Sequence, residues 1–397
     1  MNEISNKAIL AGALLKNARM IRLRPSVNIF MLKYIRKFKL VNVGGNLIIH
    51  SHLPAINSKA YSRFVNEHLL EQTPGPSHAQ IGLTNLCPQN CAYCYNRERA
   101  GVLLDTDRII QTIRELKAMG VVWIGLTGGE PLFDPDIVEI VKSAGDDCAI
   151  KLFTTGSGLT EKLAKDLRSA GLLYVSVSLD DRSEVAHDRA RGCAGAFRTA
   201  LNAIKIFRKA GFHVSVSSVI SNEMIREGTL ADFLEFLENL NIHEAWLSEA
   251  KPTAAAYWNP DAVITEKDRL TLVRIQDIYN KRGRMTVNYL GHFEGREHFG
   301  CNAGSKMVYV DAFGEVSPCV FTPMTYGNVR ERPLKEIVDD MRLLWPPQGD
   351  CWINKNYMLV KKYYKGRPPI CREDSITMMQ EAKIGPPSEF TCLSSGR

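Results

Sequence analysis

Asp107-Arg-Ile-Ile-Gln-Thr-Ile-Arg-Glu-Leu-Lys-Ala-Met-Gly-Val-Val-Trp-Ile-Gly-Leu126 is the stretch on which the fold turns. Asp107–Met119 has the apolar period of a helix, Gly120 is the left-handed stop, and Val121–Leu126 is a strand-like run. The unit recurs in both directions. Strand-like runs stand at Ala79–Leu83, Ala149–Phe153, Leu173–Val177, His213–Ile220 and Glu244–Leu247. Helix-period segments lie between them at Pro135–Ala144, Thr160–Ala170, Gly195–Ala210 and Thr229–Leu240, with further stops at Gly145, Gly171 and Gly211. Parallel neighbours need helical crossovers, so this alternation predicts an α/β fold built on a parallel sheet. Six strands are too few for an eight-fold barrel, and a partial, open (βα)6 TIM-like barrel is the expected form. In such folds the chemistry lies at the carboxyl ends of the strands.

The sequence around this core predicts three segments. Residues 1–75 form a basic N-terminal extension of helices with a hairpin at Leu40–Ile49, and Gln72–Ser77 is a turn-rich linker. Residues 76–290 form the barrel, ending with a helix at Thr265–Lys281. Residues 291–397 are Gly- and Pro-rich with little helical period, and read as a small irregular α+β cysteine-rich domain. Residues 1–66 hold eleven Lys or Arg against the single acid Glu3, whereas the whole 397-residue chain is +7. That imbalance suggests an anionic partner, either a membrane surface or nucleic acid, or else a solvated helix face. No apolar run reaches the roughly 18 residues of a membrane span. Ala8–Leu15 resembles the apolar part of a signal peptide, but Lys16, Arg19, Arg22 and Arg24 follow without a cleavage pattern. The expected location is cytoplasmic, with peripheral contact at the inner face of the membrane. Ten cysteines are too few for a disulfide framework and read as ligands kept reduced.

Cys87-Pro-Gln-Asn-Cys91-Ala-Tyr-Cys94 follows the first strand at its carboxyl end. Three thiolates in this spacing hold three irons of a [4Fe-4S] cluster and leave the fourth open. The alternative is structural zinc, which wants four protein ligands, and no fourth Cys or His lies nearby in sequence. With Tyr93 and Tyr95 flanking Cys94, the triplet resembles the signature of the radical S-adenosylmethionine (radical SAM) superfamily. Leu126-Thr-Gly-Gly-Glu-Pro131 resembles the family's GGEP motif, which places Gly128, Gly129, Glu130 and Pro131 at the amino group of SAM. Paired glycines permit close approach, and a carboxylate suits an ammonium group. Phe153-Thr-Thr-Gly156 resembles a family turn, with Thr155 where Asn is usual. Ser176, Ser178 and Asp180 share one strand face where the family binds the ribose and carboxylate of SAM. The resemblance also implies that Arg191, in His187-Asp-Arg-Ala-Arg-Gly192, pairs the SAM carboxylate, and that Asn222 is a further polar contact.

Cys301-Asn-Ala-Gly304 through Pro318-Cys319 resembles the start of a SPASM or twitch domain, and Met307–Val310 with Gly314 reads as a β-hairpin. Cys351 and Cys371 would complete four thiolates with Cys301 and Cys319, with Cys392 able to replace Cys371. The close Cys-x2-Cys pair of a full SPASM pattern is missing, so one auxiliary [4Fe-4S] cluster is expected, against zinc or free thiols. The resemblance implies an oxidoreductase in which SAM, cleaved with an electron from a reductant such as flavodoxin or ferredoxin, yields a 5′-deoxyadenosyl radical. That radical takes hydrogen from an unactivated C–H. Residues 1–75 do not match the winged-helix module of peptide-modifying relatives. Met20, Ile21, Leu23, Ile29, Phe30, Leu32 and Ile35 among basic residues fit an interfacial segment. The expected substrate is therefore a membrane lipid or isoprenoid, with a peptide maturase or small-metabolite enzyme as the alternative. An iron–sulfur redox sensor or nucleic-acid-binding protein is the alternative of another class, which Glu130 and the polar strand stripe disfavour.

Overall fold

The computed structural model describes residue 12 and residues 16–253 and 263–395. A two-stranded hairpin of β1 (Val41–Val43) and β2 (Asn46–Ile48) precedes the main sheet. The main sheet holds β3 (His78–Thr84), β4 (Trp123–Gly128), β5 (Ala149–Thr154), β6 (Tyr174–Ser178), β7 (His213–Ile220), β8 (Glu244–Glu249), β9 (Thr286–Tyr289), β10 (Met307–Val310) and β11 (Val316–Ser317). Its order is β11-β10-β3-β4-β5-β6-β7-β8-β9, and the sheet is open rather than closed on itself. Every neighbouring pair from β10 to β9 is parallel. Strand interiors such as Ile81, Ile124, Leu152, Val177, Val216 and Leu247 are fully buried, as a sheet covered on both faces requires. The crossover helices include Thr106–Ala118, Glu161–Ser169, Ala196–Lys209 and Leu230–Asn239, each burying one apolar stripe.

Two strands depart from the six-strand expectation. β9 is only four residues long, and although Thr286, Val287, Asn288 and Tyr289 alternate polar with apolar, all four are buried. Asn288 is accepted there because its amide donates to Glu244 on β8 at 2.5 Å. The hairpin of β10 and β11 does form, but β10 also pairs in parallel with β3, so the C-terminal segment extends the barrel sheet. Residues past 291 are also more helical than their composition suggests. Leu334–Leu344, Trp352–Tyr363, Arg372–Glu381 and Glu389–Ser395 are helices, the first burying Leu334, Ile337, Val338 and Met341 at helical spacing.

The N-terminal segment plugs the amino end of the barrel. Ser51 is fully buried there, and its N–H donates to Glu244 at 2.9 Å. Its carbonyl accepts from Trp123 Nε1 at 2.9 Å, and its hydroxyl accepts from Lys151 Nζ at 2.7 Å and Trp246 Nε1 at 3.1 Å. Burial holds the flanking His50 at a pKa of about 3 and His78 at about 4. The unfolded chain protonates these residues near 6.5 and the folded chain does not, so the stability they carry above pH 6.5 is lost as pH falls toward 4. Each contributes on the order of 1.4 kcal/mol per pH unit in that window. Urea midpoints are expected to drop between pH 6.5 and 4, and a His50→Gln, His78→Gln variant to show a flatter profile. Equal slopes for the two proteins would refute this account.

The basic arm is not a free amphipathic surface. Helix Pro25–Ile35 buries Val27, Phe30, Met31 and Tyr34, and Leu23 and Phe30 join Tyr61, Val65 and Leu69 in a core that Phe299 and Phe390 cover. Of the apolar residues read as membrane-facing, Ile21, Ile29 and Leu32 are exposed, so only a remnant of that face is left. Ala8–Leu15 lies outside the described residues apart from Gly12. Among the described residues no helix is long and apolar enough to cross a membrane. Phe30→Ala is expected to cost about 3–5 kcal/mol in chemical denaturation. Ile29→Ala should stay within about 0.5 kcal/mol, and similar losses for both would contradict this packing.

Candidate active site

The parallel register brings the ends of β3 to β8 to one rim. The loop after β3 carries Cys87, Cys91 and Cys94, and its backbone is tied to its neighbours. Asn90 N–H donates to Arg191 O at 2.8 Å, Gly129 N–H to Thr84 O at 2.6 Å and Glu130 N–H to Leu86 O at 2.7 Å. This approach explains the glycine pair after β4. A Cβ on Gly128 would stand 2.4 Å from Thr84 O, and one on Gly129 would stand 2.2 Å from Leu86 O.

The rim surrounds a cavity of about 310 Å³. Cys87, Cys91, Tyr93, Cys94, Gly128, Gly129, Thr155, Ser178 and Arg191 line it. Glu130 does not. It is fully buried beneath the turn, and its Oε1 accepts from Thr154 Oγ1 at 2.6 Å and Leu132 N–H at 3.1 Å. Its Oε2 accepts from Thr155 N–H at 2.6 Å and from the Thr155 hydroxyl. Four donors fill the carboxylate's four acceptor sites, so Glu130 locks the turns after β4 and β5 and leaves no site for a ligand ammonium group. Burial pushes its carboxyl up against these hydrogen bonds. Pro131 begins the short turn Pro131–Phe133 under the same rim.

The polar stripe of Ser176, Ser178 and Asp180, on and just after β6, is also divided. Ser176 is fully buried and accepts from Ser215 Oγ, its partner on β7, at 3.0 Å. Asp180 grips Arg191 through two contacts of 2.8 Å, accepts from Val219 N–H at 2.9 Å and receives the Tyr93 hydroxyl. Arg191 also lies 5.6 Å from the Tyr93 ring centre and 4.0 Å from Cys91 Sγ. Its guanidinium is thus shared between Asp180 and the thiol loop. Burial pushes the Cys91 thiol up while Arg191 opposes it. Asn222 starts the short helix Asn222–Arg226 and does not line the cavity.

Cys301, Cys319 and Cys351 line the same cavity. Cys301 N–H donates to Gln348 O at 2.8 Å, which draws the Cys351 segment alongside. Cys371 stands apart. It is exposed at the start of helix Arg372–Glu381, because Ile370 N–H donates to Pro323 O at 2.7 Å and turns the following residue outward. Cys392, in helix Glu389–Ser395, does not line the cavity either. The sequence reading missed Glu249 and Lys251, although the carboxyl end of β8 was a signal for them. Lys251 Nζ lies 2.8 Å from Glu249 and 3.5 Å from Cys351 Sγ, and it overcomes burial to hold Glu249 at about 2. Glu294 and Lys306 also line the cavity and had no sequence signal.

Among the described residues no three His, Cys, Asp or Glu side chains are gathered tightly enough to hold one metal ion. A single zinc needs thiolates about 2.3 Å from it, so these spread thiols fit a wider, multi-iron group better. Burial resists ionisation of these thiols, and a bound cationic iron would offset that cost by favouring the thiolate.

A family model described as the radical SAM superfamily matches residues 81–240, and one described as an iron–sulfur cluster-binding domain (SPASM) matches residues 301–373. The AdoMet-dependent heme synthase of Methanosarcina barkeri is 29% identical over 72% of this chain and 90% of its own. The PqqA peptide cyclase of Gluconobacter oxydans is 25% identical over 70% of this chain and 81% of its own. Among solved structures, Streptococcus suis SuiB bound to precursor peptide SuiA superposes with a TM-score of 0.58 at 16% identity, covering 79% of this chain and 80% of that one. The anSMEcpe structure with bound AdoMet and Cp18Cys peptide gives 0.53 at 16% identity, over 77% and 96%. These two share the fold. The chain is a radical SAM enzyme, with a barrel domain that binds a [4Fe-4S] cluster and SAM and a SPASM domain that binds auxiliary iron–sulfur.

Proposed function

We propose that this enzyme modifies a peptide at an unactivated C–H, with Cys87, Cys91 and Cys94 holding the catalytic cluster and Cys301, Cys319 and Cys351 an auxiliary one. The observation that carries the reading is that both thiol groups line one cavity, so a substrate between them reaches both. When bound, the cluster and SAM supply radical hydrogen abstraction. Backbone at Gly128 and Gly129, with Thr155, Ser178 and Arg191, forms the wall against which SAM binds. Glu130, Asp180, Ser176, Pro131 and Asn222 shape that wall from behind. Phe153, Trp246, Phe293 and Phe321 make much of the remaining lining apolar, which keeps water from a reactive centre. Lys251 places a cation beside Cys351, which favours a thiolate there.

A peptide substrate is supported by similarity to PqqA peptide cyclases over 70% and 68% of this chain. The lipid expectation loses its main support with the burial of Leu23 and Phe30. A second reading, a small carboxylated metabolite such as a tetrapyrrole, is favoured by the similarity to a heme synthase. Anaerobic incubation with SAM and dithionite separates the two. A short-peptide pool is expected to raise 5′-deoxyadenosine above the substrate-free level, with a mass change in one peptide. Stimulation by a carboxylated tetrapyrrole alone would replace the peptide reading with the second one.

A further inference from the structure

The floor of the cavity is lined by His52 of the N-terminal segment and Gln80 of β3, beside Phe153 and Trp246. Both polar residues lie outside the segments that the family models match, residues 81–240 and 301–373. The His52 backbone is pinned, its N–H donating to His50 Nδ1 at 3.3 Å and its carbonyl accepting from His78 Nε2 at 2.9 Å. Its ring stacks on Trp123 with centroids 5.0 Å apart and meets Trp246 at 3.8 Å and Phe153 at 6.2 Å, so the imidazole has a fixed direction. Gln80 is seated by Gly125, its partner on β4. A Cβ there would stand 3.1 Å from Gln80 Cγ and 2.9 Å from Phe153 Cε2, so only glycine lets those two side chains close over the sheet.

The polar atoms of this floor are not engaged by the protein. His52 Nδ1 is buried and has no hydrogen-bond partner. A buried N–H left unpaired is harder to tolerate than a bare lone pair, which puts the proton on Nε2. That nitrogen makes no hydrogen bond among the described residues, and neither does the Gln80 carboxamide. Burial, with Lys151, His50 and His78 adding to it, keeps the imidazole uncharged. The nearby charges are turned elsewhere. Lys151 Nζ donates to Ser51 Oγ at 2.7 Å, Glu244 accepts from Ser51 N–H at 2.9 Å, and neither lines the cavity. Lys306 does line it, but its ammonium donates to Thr73 O at 3.1 Å. A carboxylate or an ammonium group buried at this floor would lack a counter-ion, whereas an uncharged polar group would find a donor and an acceptor between aromatic faces.

We propose that His52 and Gln80 form a specificity pocket at the cavity floor, which takes an uncharged substrate side chain tipped with a carboxamide. The His52 Nε2–H donates to the carboxamide oxygen, and the Gln80 oxygen accepts from its NH2 group. This rests on the reading that the cavity takes the substrate, and it makes the N-terminal segment part of the site.

The test measures binding of benzamide, benzoate and benzylamine to the full iron-loaded chain by anaerobic titration calorimetry. The three probes share a ring for the aromatic walls and differ only in the tip. Benzamide is expected to bind about tenfold more tightly than either charged probe, the worth of one or two hydrogen bonds. His52→Phe and Gln80→Leu should each weaken benzamide by about tenfold. The near-isosteric Gln80→Glu should reverse the order and make benzylamine the best of the three, with circular dichroism unchanged. Equal affinities for the three probes in the parent protein, no binding of benzamide, or an unchanged order in Gln80→Glu would overturn the pocket. The peptide reading fails separately. If the probe order holds while a short-peptide pool does not raise 5′-deoxyadenosine, the pocket stands and its substrate is not a peptide.

Discussion

Replacing Cys87, Cys91 and Cys94 together by alanine is expected to remove about four irons per chain and to abolish SAM cleavage, with the fold retained. Retention of the fold follows from how little the thiols pack. Cys87 is exposed, Cys94 is half-buried, and buried Cys91 makes weak contacts, 3.9 Å to Arg191 O and 4.0 Å to both Gln89 and the Arg191 guanidinium. The loop is held by other groups. Asn85 Nδ2 donates to Arg99 O at 2.7 Å, Arg97 to Asn90 Oδ1 at 2.7 Å, and Asn90 N–H to Arg191 O at 2.8 Å. Iron analysis, 5′-deoxyadenosine production and thermal melting read the three effects separately. Full iron and continuing 5′-deoxyadenosine formation in this variant would refute the assignment of the triplet.

Asp180→Ala is expected to cost about 3–5 kcal/mol of stability, because it strands a charge that cannot be neutralised in the interior. The Arg191 side chain is 8% exposed and would lose both of its 2.8 Å contacts at once. Val219 N–H and the Tyr93 hydroxyl would lose their acceptor as well. The loss should reach the cysteine loop, since Arg191 also supplies the carbonyl that Asn90 bonds and the charge beside Cys91. Urea denaturation gives the stability change, and SAM affinity of the iron-loaded protein gives the functional one. The double variant Asp180→Leu, Arg191→Met is expected to recover much of the stability, as apolar replacements of buried ion pairs do. It should not recover SAM affinity, because the cavity wall then lacks its guanidinium. A single Asp180→Ala variant within about 0.5 kcal/mol of the parent would show that the pair is not load-sharing in this way.

The barrel was legible because each unit announces itself locally. The apolar stripe of Thr106–Ala118 and the buried run of Trp123–Gly128 each reflect burial along one element, which the chain encodes as a 3.6-residue period in the helix and as a continuous apolar run in the strand. Cysteine spacing is equally local, and so Cys87, Cys91 and Cys94 were identifiable from eight consecutive residues. β9 escaped notice because its alternation runs for only four residues, and the burial of Asn288 depends on Glu244, a residue on another strand. The parallel pairing of β10 with β3 was hidden for a similar reason, since a hairpin pattern shows only one of its edges.

Side-chain direction at the site was the other blind spot. Glu130 matches a ligand motif, yet Thr154 and Thr155 absorb its carboxylate before any ligand can. Ser176 shares a strand face with Ser178 but pairs with Ser215 deeper in the sheet. Cys371 fits a four-cysteine pattern, and only the docking of Ile370 on Pro323 turns it outward. Ser51 carries no motif, and it gathers Trp123, Lys151, Glu244 and Trp246 from three strands into the barrel floor. By itself the sequence determined the α/β repeat, the cysteine triplet and the two iron–sulfur segments, because periodicity and short spacing are properties of neighbouring residues. Only the tertiary structure decided which polar groups face the cavity and which are consumed by each other. Hydrogen-bond satisfaction of a buried group depends on partners that are brought together by packing and lie far apart in the chain.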